Sequence, residues 1–476
     1  MKKYILNNKI WIFISIIFIL NIILKIIFLK DNDLAGDEPF TVFNSQGSLH
    51  DISSMLKDEN NPPLHFFLIH FWIKIFGIST FAVRFPSLIF SSFTVIYLFI
   101  FGNKYYNFKT GVLAAILFTL SSFQFYFSHE ARVYSLMGFL IIASLYYFIS
   151  LLIDHNFKRN LILLTIANIL LIYSHYFGIF LIIIEFLSVL FFHEYRKKIK
   201  PYLLSLAVCI IAFAPILIIF YYRLGTSINN GTWVSKPHFN DSYFKFKGFV
   251  NSPVNAVATI SILIVSLILW TIKDKKVNSA TKPVLLVFPG LFIAMFFVSY
   301  WIPMFIDRYL ISCSIGLILI IAISIGILTE NKKLKFIIPV MALGLYLPGF
   351  SLNPKNNEDI DKAAEYIKSV KDSKTVVIIC PPWSKNGFTY YYNRSFFQAY
   401  KNMDKMLEND NILPVYNYNN IDTNLINNAN KVLFFDNWAD IVDPDKTIFN
   451  GISKKMNLAD TKSFYKILKV YVFIKN

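Results

Sequence analysis

Two adjacent carboxylates, Asp37 and Glu38, stand in the stretch Leu34-Ala35-Gly36-Asp37-Glu38-Pro39-Phe40, just after an apolar run from Ile10 to Leu29. A bilayer core is about 30 Å thick, so roughly 20 apolar helical residues cross it. The run delivers the two acids to the point where it meets water, on backbone that Gly36 and Pro39 take out of helix. They read either as the solvated end of a helix or as acids placed for function at a membrane surface. A second group lies in Phe127-Ser128-His129-Glu130-Ala131-Arg132-Val133-Tyr134, in a connection between apolar runs too short to leave that surface. Glu130 and Arg132 at such a depth are costly unless they pair or face a wet cavity. They read as a salt bridge that pins the turn, or as a site where the planar fork of Arg132 takes an anionic head group such as phosphate. Further turns carry His175-Tyr176-Phe177-Gly178, Asp307-Arg308-Tyr309 and Arg84-Phe85-Pro86. Arg308 and Arg84 either snorkel or add phosphate contacts; His175 beside aromatics reads as an interfacial residue.

The elements that must position these residues follow from composition and periodicity. The 476 residues are 55% hydrophobic, 17% aromatic and only 16% charged, the balance of a polytopic membrane protein. A net charge of +17 does not imply nucleic acid, because the Lys and Arg lie in short clusters between apolar runs. Cys209, Cys313 and Cys380 form neither a disulfide framework nor metal-ligand spacing. The N-terminal run is too long for a signal peptide and no small-residue cleavage site precedes Asp31, so it reads as an uncleaved first span. Lys25 interrupts that span where its side chain can snorkel to the interface.

Apolar runs long enough to cross recur at 10–29, 84–101, 110–127, 133–153, 161–175, 177–192, 202–222, 254–272, 284–302, 309–328 and 334–350, which predicts about eleven transmembrane helices. Cations cluster in alternate connections: Lys2, Lys3 and Lys9; Lys104 and Lys109; Lys158 and Arg159; Arg196, Lys197, Lys198 and Lys200; Lys273, Lys275, Lys276 and Lys282; Lys332, Lys333 and Lys335. The positive-inside rule makes these cytoplasmic, with the N-terminus inside and the C-terminus outside the cytoplasmic (inner) membrane. The long polar segments 30–83, 223–253 and 351–476 then fall outside. In the first, Asp51 to Lys57 and Leu64 to Phe76 read as amphipathic surface helices separated by Asn60-Asn61-Pro62-Pro63. In the last, Glu358 to Val370 reads as an amphipathic helix, Thr375 to Cys380 and Lys431 to Phe435 as strands, Asn424 to Asn430 as a helical turn, and Phe464 to Ile474 as β-rich. The expected organisation is a transmembrane domain over 1–350, including a 31–83 outer loop, and a small α/β domain over 351–476. No Gly-rich phosphate loop opens either tail helix, so a nucleotide site is not expected there.

In order, spacing and sidedness the motifs form a set: Asp37-Glu38 after the first span, Pro62-Pro63-Leu64 in the first outer loop, and Arg84-Phe85-Pro86-Ser87 opening the second span. His129-Glu130-Ala131-Arg132-Val133-Tyr134-Ser135-Leu136, His175-Tyr176-Phe177-Gly178 and Arg308-Tyr309-Leu310 complete it. Over about the first 330 residues the chain resembles the bacterial branch of the protein mannosyltransferase and aminoarabinose transferase group, glycosyltransferase family 39 and its relatives, of the GT-C fold. Relatives often carry His or Lys before the Pro-Pro pair where this chain has Asn61, and His65 follows the pair two residues on. The resemblance implies sugar transfer, with inversion, from a polyprenyl-phosphate sugar to a hydroxyl acceptor on protein, lipid or glycan. It implies Asp37 as general base, Glu38 orienting the acceptor, and Arg132, then Arg308, at the donor phosphate. It also implies a divalent metal as a cofactor option, for which Glu130 with His129 or His175 is the available set.

Two other classes compete. A lipid-linked glycan flippase would show polar or Gly/Pro-broken spans at the midplane, whereas here Glu185 is the clear intramembrane acid. An O-antigen polymerase or ligase would share the enzyme character. The topology reading predicts that a cysteine at Asn393 labels from outside intact cells, while one at Lys198 labels only after the membrane is permeabilised. The reverse pattern would invert the topology.

Overall fold

The computed structural model describes residues 2–57, 59, 61–229, 234–272, 278–329, 337–354, 358–465 and 467–475. Asn60 and the cations Lys273, Lys275, Lys276, Lys332, Lys333 and Lys335 lie outside the described residues. In chain order the helices used below are α1 (Lys2–Ile26), α2 (Glu38–Ser45), α3 (Leu49–Met55), α4 (Leu64–Phe76), α5 (Thr80–Tyr105), α6 (Phe108–Thr119), α7 (Ser122–Ser128), α8 (Tyr134–Ile153), α9 (Phe157–Ser174), α10 (Gly178–Phe191), α11 (Ile199–Asn229), α12 (Phe239–Phe249) and α13 (Pro253–Ile272). They continue with α14 (Thr281–Leu285), α15 (Leu291–Val298), α16 (Ile311–Leu328), α17 (Ile337–Tyr346), α18 (Ile360–Val370) and α19 (Lys385–Tyr392). The chain divides into two compact units: a helical one of residues 1–29, 53–65 and 84–354, and a second of residues 30–52, 66–83 and 355–476.

Among the described residues, six helical stretches of the helical unit are long and apolar enough to cross a bilayer, and two bent pairs raise this to eight. Shorter apolar helices occupy Ile10–Ile26, Gly178–Phe191 and Ile337–Gly349. The run 110–127, expected as one span, is broken: α6 and α7 meet at 64°. Leu120 and Ser121 lie at the break, where Ser121 accepts a hydrogen bond from the Gln124 N–H. Asn251, at φ +70°, closes the remaining gap. Its amide donates to Leu120 O at 2.6 Å and Tyr346 O at 3.1 Å, and its oxygen accepts from the Ser122 N–H at 2.8 Å. A bent span keeps its backbone paired this way, and the bend sets the course of α7 into the turn that carries Glu130 and Arg132.

Lys25 does not snorkel. It is buried, its Nζ donates to Ser91 Oγ at 2.8 Å and lies over the Phe118 ring at 5.3 Å, because α1 packs there against α5 and α6. Glu185 is buried too, and three neighbouring helices satisfy it: Ser144 donates at 2.6 Å, Asn168 at 2.9 Å and Tyr202 at 3.2 Å. A fully partnered intramembrane acid of this kind ties α8, α9, α10 and α11 together.

The second unit is built on a five-stranded sheet in the order β2-β1-β3-β5-β4, with β1 Thr375–Cys380, β2 Ile412–Pro414, β3 Lys431–Asn437, β4 Asn457–Ser463 and β5 Leu468–Ile474. β1 pairs parallel with β2 and β3; β5 pairs antiparallel with β3 and β4. Strand β1 is wholly buried, as its unbroken apolar run requires, while the edge strand β4 is wholly exposed. The first-loop segment belongs to this unit. Phe43 packs against Phe397 and Tyr400, Gln46 donates to Phe397 O at 3.1 Å, and Tyr391 accepts the Leu34 N–H.

Asn251→Ala and Asn251→Gly should both destabilise the helical unit, since both leave the same groups unpaired, and Ala should cost about 1 kcal/mol more because its Cβ is strained at φ +70°. The cost should be about 2–4 kcal/mol, read by thermal unfolding in detergent. A harmless Asn251→Gly would mean that Asn251 serves only its left-handed backbone.

Candidate functional site

In the second unit the acid pair is held by local bonds. Asp37 caps α2 with its backbone, accepting from the Thr41 N–H, while its side chain makes no cap bond and the residue is exposed. Its carboxylate sits at a helix N-terminus, where the dipole favours the anion. Glu38 is buried and accepts from the Ala35 N–H at 3.4 Å. Gly36 takes φ +53°, a left-handed turn that folds the motif back on itself. Sequence reasoning missed two further acids in this group. The buried Asp33 carboxylate accepts the backbone N–H groups of Glu358 and Ile360, at 2.9 and 2.7 Å. Glu358 in turn accepts the Gly36 N–H. Asp33 therefore clamps the start of the tail onto the motif. The clamp also moves a boundary: the tail helix begins at Ile360, not Glu358, with Asp359 at φ +57°. Burial first, then the charges of Asp33, Glu38 and Asp37, push the Glu358 carboxyl up to about 7.

The helical unit gathers most of the cationic and histidine residues read from the sequence. Glu130 and Arg308 line one cavity of about 410 Å³ with Phe123, Tyr126, Tyr134 and Asp307. Arg132 is buried in the turn between α7 and α8, with Ser87 donating to its carbonyl at 3.3 Å. Its charge acts on two buried histidines. His65, at the start of α4, is pushed down to about 3 by burial and then by Arg132. His175, between α9 and α10, is pushed down to about 3 by burial and then by Arg132 and Arg308. Both rings are therefore neutral at pH 7. His175 Nδ1 accepts the Phe177 N–H at 3.1 Å, so its proton sits on Nε2, which is buried without a hydrogen-bond partner among the described residues. The His175 ring packs against Tyr309, and Arg308 lies over the same Tyr309 ring at 5.7 Å. Asp307 pairs with Lys245 at 3.1 Å.

Three expected site residues sit elsewhere in this unit. Arg84 is fully buried and donates to Leu29 O at 3.1 Å. Tyr176 packs against Phe220 and Phe213 on α11. Both ring nitrogens of His129 point at main-chain carbonyls, Phe125 O at 3.1 Å and Ile27 O at 3.3 Å, and the ring stacks on Phe125. His129 is thus committed to the backbone and does not join Glu130 as a ligand. Among the described residues, no group of three or more His, Cys, Asp or Glu side chains is arranged for a metal, so the side chains present do not fit the divalent metal that the resemblance allows. Asn61, which stands before the Pro-Pro pair, is buried and donates to Glu59 at 2.8 Å.

A model of the dolichyl-phosphate-mannose-protein mannosyltransferase family matches residues 60–219, which carry the His65, Arg84, Arg132 and His175 motifs. A search of curated proteins gives no match. Among solved structures, ArnT from Cupriavidus metallidurans bound to undecaprenyl phosphate matches with a TM-score of 0.61 at 11% identity, covering 97% of this chain and 98% of that one. The Archaeoglobus fulgidus oligosaccharyltransferase, in a complex with Zn and sulfate, matches with a TM-score of 0.53 at 11% identity over 88% of this chain and 68% of that one. The same archaeal enzyme, AglB, with an inhibitory peptide and a dolichol-phosphate, matches with a TM-score of 0.52 at 10% identity over 89% of this chain and 69% of that one. The fold is that of the GT-C glycosyltransferases, and the apolar helices are those of a multi-pass membrane protein.

The acid group makes a prediction with a definite sign. A carboxyl held near 7 keeps its proton to higher pH in the folded chain than in the unfolded one, where the ordinary value is 4.5. The stability tied to that proton is complete below about pH 4.5 and drains away as pH rises to about 7. Glu358→Gln should therefore be neutral at pH 5 and stabilising by about 2 kcal/mol at pH 8, a figure reduced for solvent screening. Thermal unfolding at the two pH values measures this, and an unchanged difference between them would count against it.

Proposed function

We propose that this protein transfers a sugar from a polyprenyl-phosphate-linked donor to a hydroxyl acceptor at the outer face of the cytoplasmic membrane, with inversion. The observation that carries the reading is the placing of Arg132 near the buried neutral His65 and His175, with Arg308 also near His175, in the helical unit. That positive field, with a buried Nε2–H donor on His175, suits the phosphate of a lipid-linked sugar. The apolar spans supply the surface for the prenyl chain, and the ArnT and AglB structures with bound lipid phosphates support the same donor class.

In this mechanism the acceptor O–H gives its proton to Asp37 as its oxygen forms a bond to the anomeric carbon. The bond from that carbon to the phosphate oxygen breaks, and polyprenyl phosphate leaves as an anion. Arg132, with Arg308 second, stabilises the charge that develops there. The exposure of Asp37 supports its role as base, and the burial of Glu38 supports a positioning role through the Ala35 backbone. Glu130, which shares the wall of one cavity with Arg308, holds Arg132 in this reading. The 351–476 segment is read as an extracytoplasmic α/β domain.

Purified protein with a polyprenyl-phosphate sugar and a set of hydroxyl acceptors tests the reading through release of polyprenyl phosphate. Asp37→Asn should lose a factor of about 10² to 10⁴ in rate while still binding donor. Arg132→Ala should lose more than Arg132→Lys, because Lys keeps the charge and not the bidentate fork. Wild-type protein that moves the lipid-linked sugar across vesicles without releasing polyprenyl phosphate would make it a transporter.

A further inference from the structure

Strands β2, β1 and β3 are neighbours and parallel, so their carboxyl ends lie side by side, about 4.8 Å apart from strand to strand. Ligands of open sheets bind in the crevice beyond such ends. Each of these three ends is followed by an exposed aromatic. Tyr416 comes two residues after β2, Trp383 three after β1, and Trp438 directly after β3, at 54%, 51% and 56% exposure. Trp383 and Tyr416 lie with ring centroids 6.4 Å apart, and Asn437 donates to Ser384 at 3.3 Å, joining the β3 end to the β1 end.

Beside Trp438 opens a cavity of about 300 Å³. Its wall mixes carboxylates and ammonium groups: Asp436, Asp440 and Asp443 with Lys446 and Lys469, beside the rings of Phe449 and Tyr471. Asp443 accepts from Thr447 and the Ile448 N–H. Trp438 and Lys446 both hold left-handed backbone, φ +71° and +53°. Bulky residues avoid that region, and strain of this kind collects at binding sites. A glycine would fit either place with less cost.

We propose that this end of the sheet binds a neutral saccharide chain, whose C–H faces stack on Trp438, Trp383 and Tyr416 and whose hydroxyls pair with Asp440, Asp436, Lys446 and Lys469. The mixture of charge selects the ligand class. An anionic polymer would meet the carboxylates and a cationic one the two lysines, whereas a hydroxyl both donates and accepts. Open aromatic faces beside such groups suit a ring with one apolar side. The site is independent of Asp37 and Arg132, and stands whether or not sugar transfer is the reaction.

The test uses the full chain in lipid nanodiscs, titrated calorimetrically with cellotetraose, mannotetraose and chitotetraose. At least one should bind, and Trp438→Gly should weaken it by about tenfold or more while the melting temperature stays the same or rises, since glycine relieves the backbone. Asp440→Asn, an exposed change that cannot unfold the sheet, should weaken binding several-fold and decides the matter if the glycine variant misfolds. Binding of none of the three, or binding indifferent to both substitutions, overturns the proposal. So does quenching of tryptophan fluorescence by brominated lipid that disappears in Trp438→Gly, which would make the row a membrane anchor.

Discussion

A bilayer offers no hydrogen bonds to a peptide group, and that constraint shapes the helical unit more than any single contact. The α6–α7 break survives because Asn251, from far along the chain, supplies the donors and acceptor that the bend removes. A side chain of that kind fixes direction as well as pairing. The angle of α7 sets where the following turn lies, and with it Glu130 and Arg132. The same constraint governs Glu185, whose oxygens are claimed by Ser144, Asn168 and Tyr202. A buried carboxylate with these partners on adjacent helices acts as a tie between helices.

In the second unit the corresponding device is the Asp33 carboxylate. Two backbone N–H groups from the tail satisfy it, and this closes the 30–52 segment onto residues that follow it by more than three hundred positions. The clamp costs something: Glu358 arrives among Asp33, Asp37 and Glu38, and its carboxyl holds its proton to about 7. Four acids in one place repel one another when all are ionised, so protonation of one is the inexpensive solution. Asp37 is the exposed member of the group and Glu38 a buried one. That asymmetry divides two chemically similar neighbours into one that meets solvent and one that shapes the loop.

Much of this was legible in the sequence. Unbroken apolar runs announce helices, and the alternation after residue 358 announces an α/β fold, because both depend on local periodicity. Four features were not legible, each for a physical reason. The bend at Leu120–Ser121 carries no Pro or Gly, and its partner is Asn251. Strand β4 is exposed on both faces, so Asn457–Ser463 shows no hydrophobic alternation. The inward turn of Lys25 depends on Ser91 and Phe118, on other helices. Glu358 read as helix because its composition suits one, while its N–H had been taken by Asp33. The candidate residues show the same division. The charge of Arg132 reaches His65 and His175, and that of Arg308 reaches His175; the sequence placed Arg132, His175 and Arg308 in turns on one face and His65 in the outer loop. Arg84 and His129 carry equally suggestive chemistry, and both bond backbone carbonyls.

The electrostatics of the helical unit bear on the role proposed for those four residues. Burial alone disfavours a charged imidazole; the Arg132 guanidinium disfavours it further at both rings, and Arg308 adds to this at His175. The unit thus holds His65 and His175 neutral and concentrates positive potential on Arg132 and Arg308. Neutral rings contribute directional donors without adding charge, and the fixed Nε2–H of His175 is one such donor. A leaving phosphate gains negative charge only as its bond to the sugar breaks. Donors and charges already in place then stabilise the later state more than the earlier one, without reorganising, which is the condition for catalysis instead of mere binding. In the proposed transferase the same arrangement should favour a lipid phosphate over a neutral lipid, since the two arginines have more to gain from the anion.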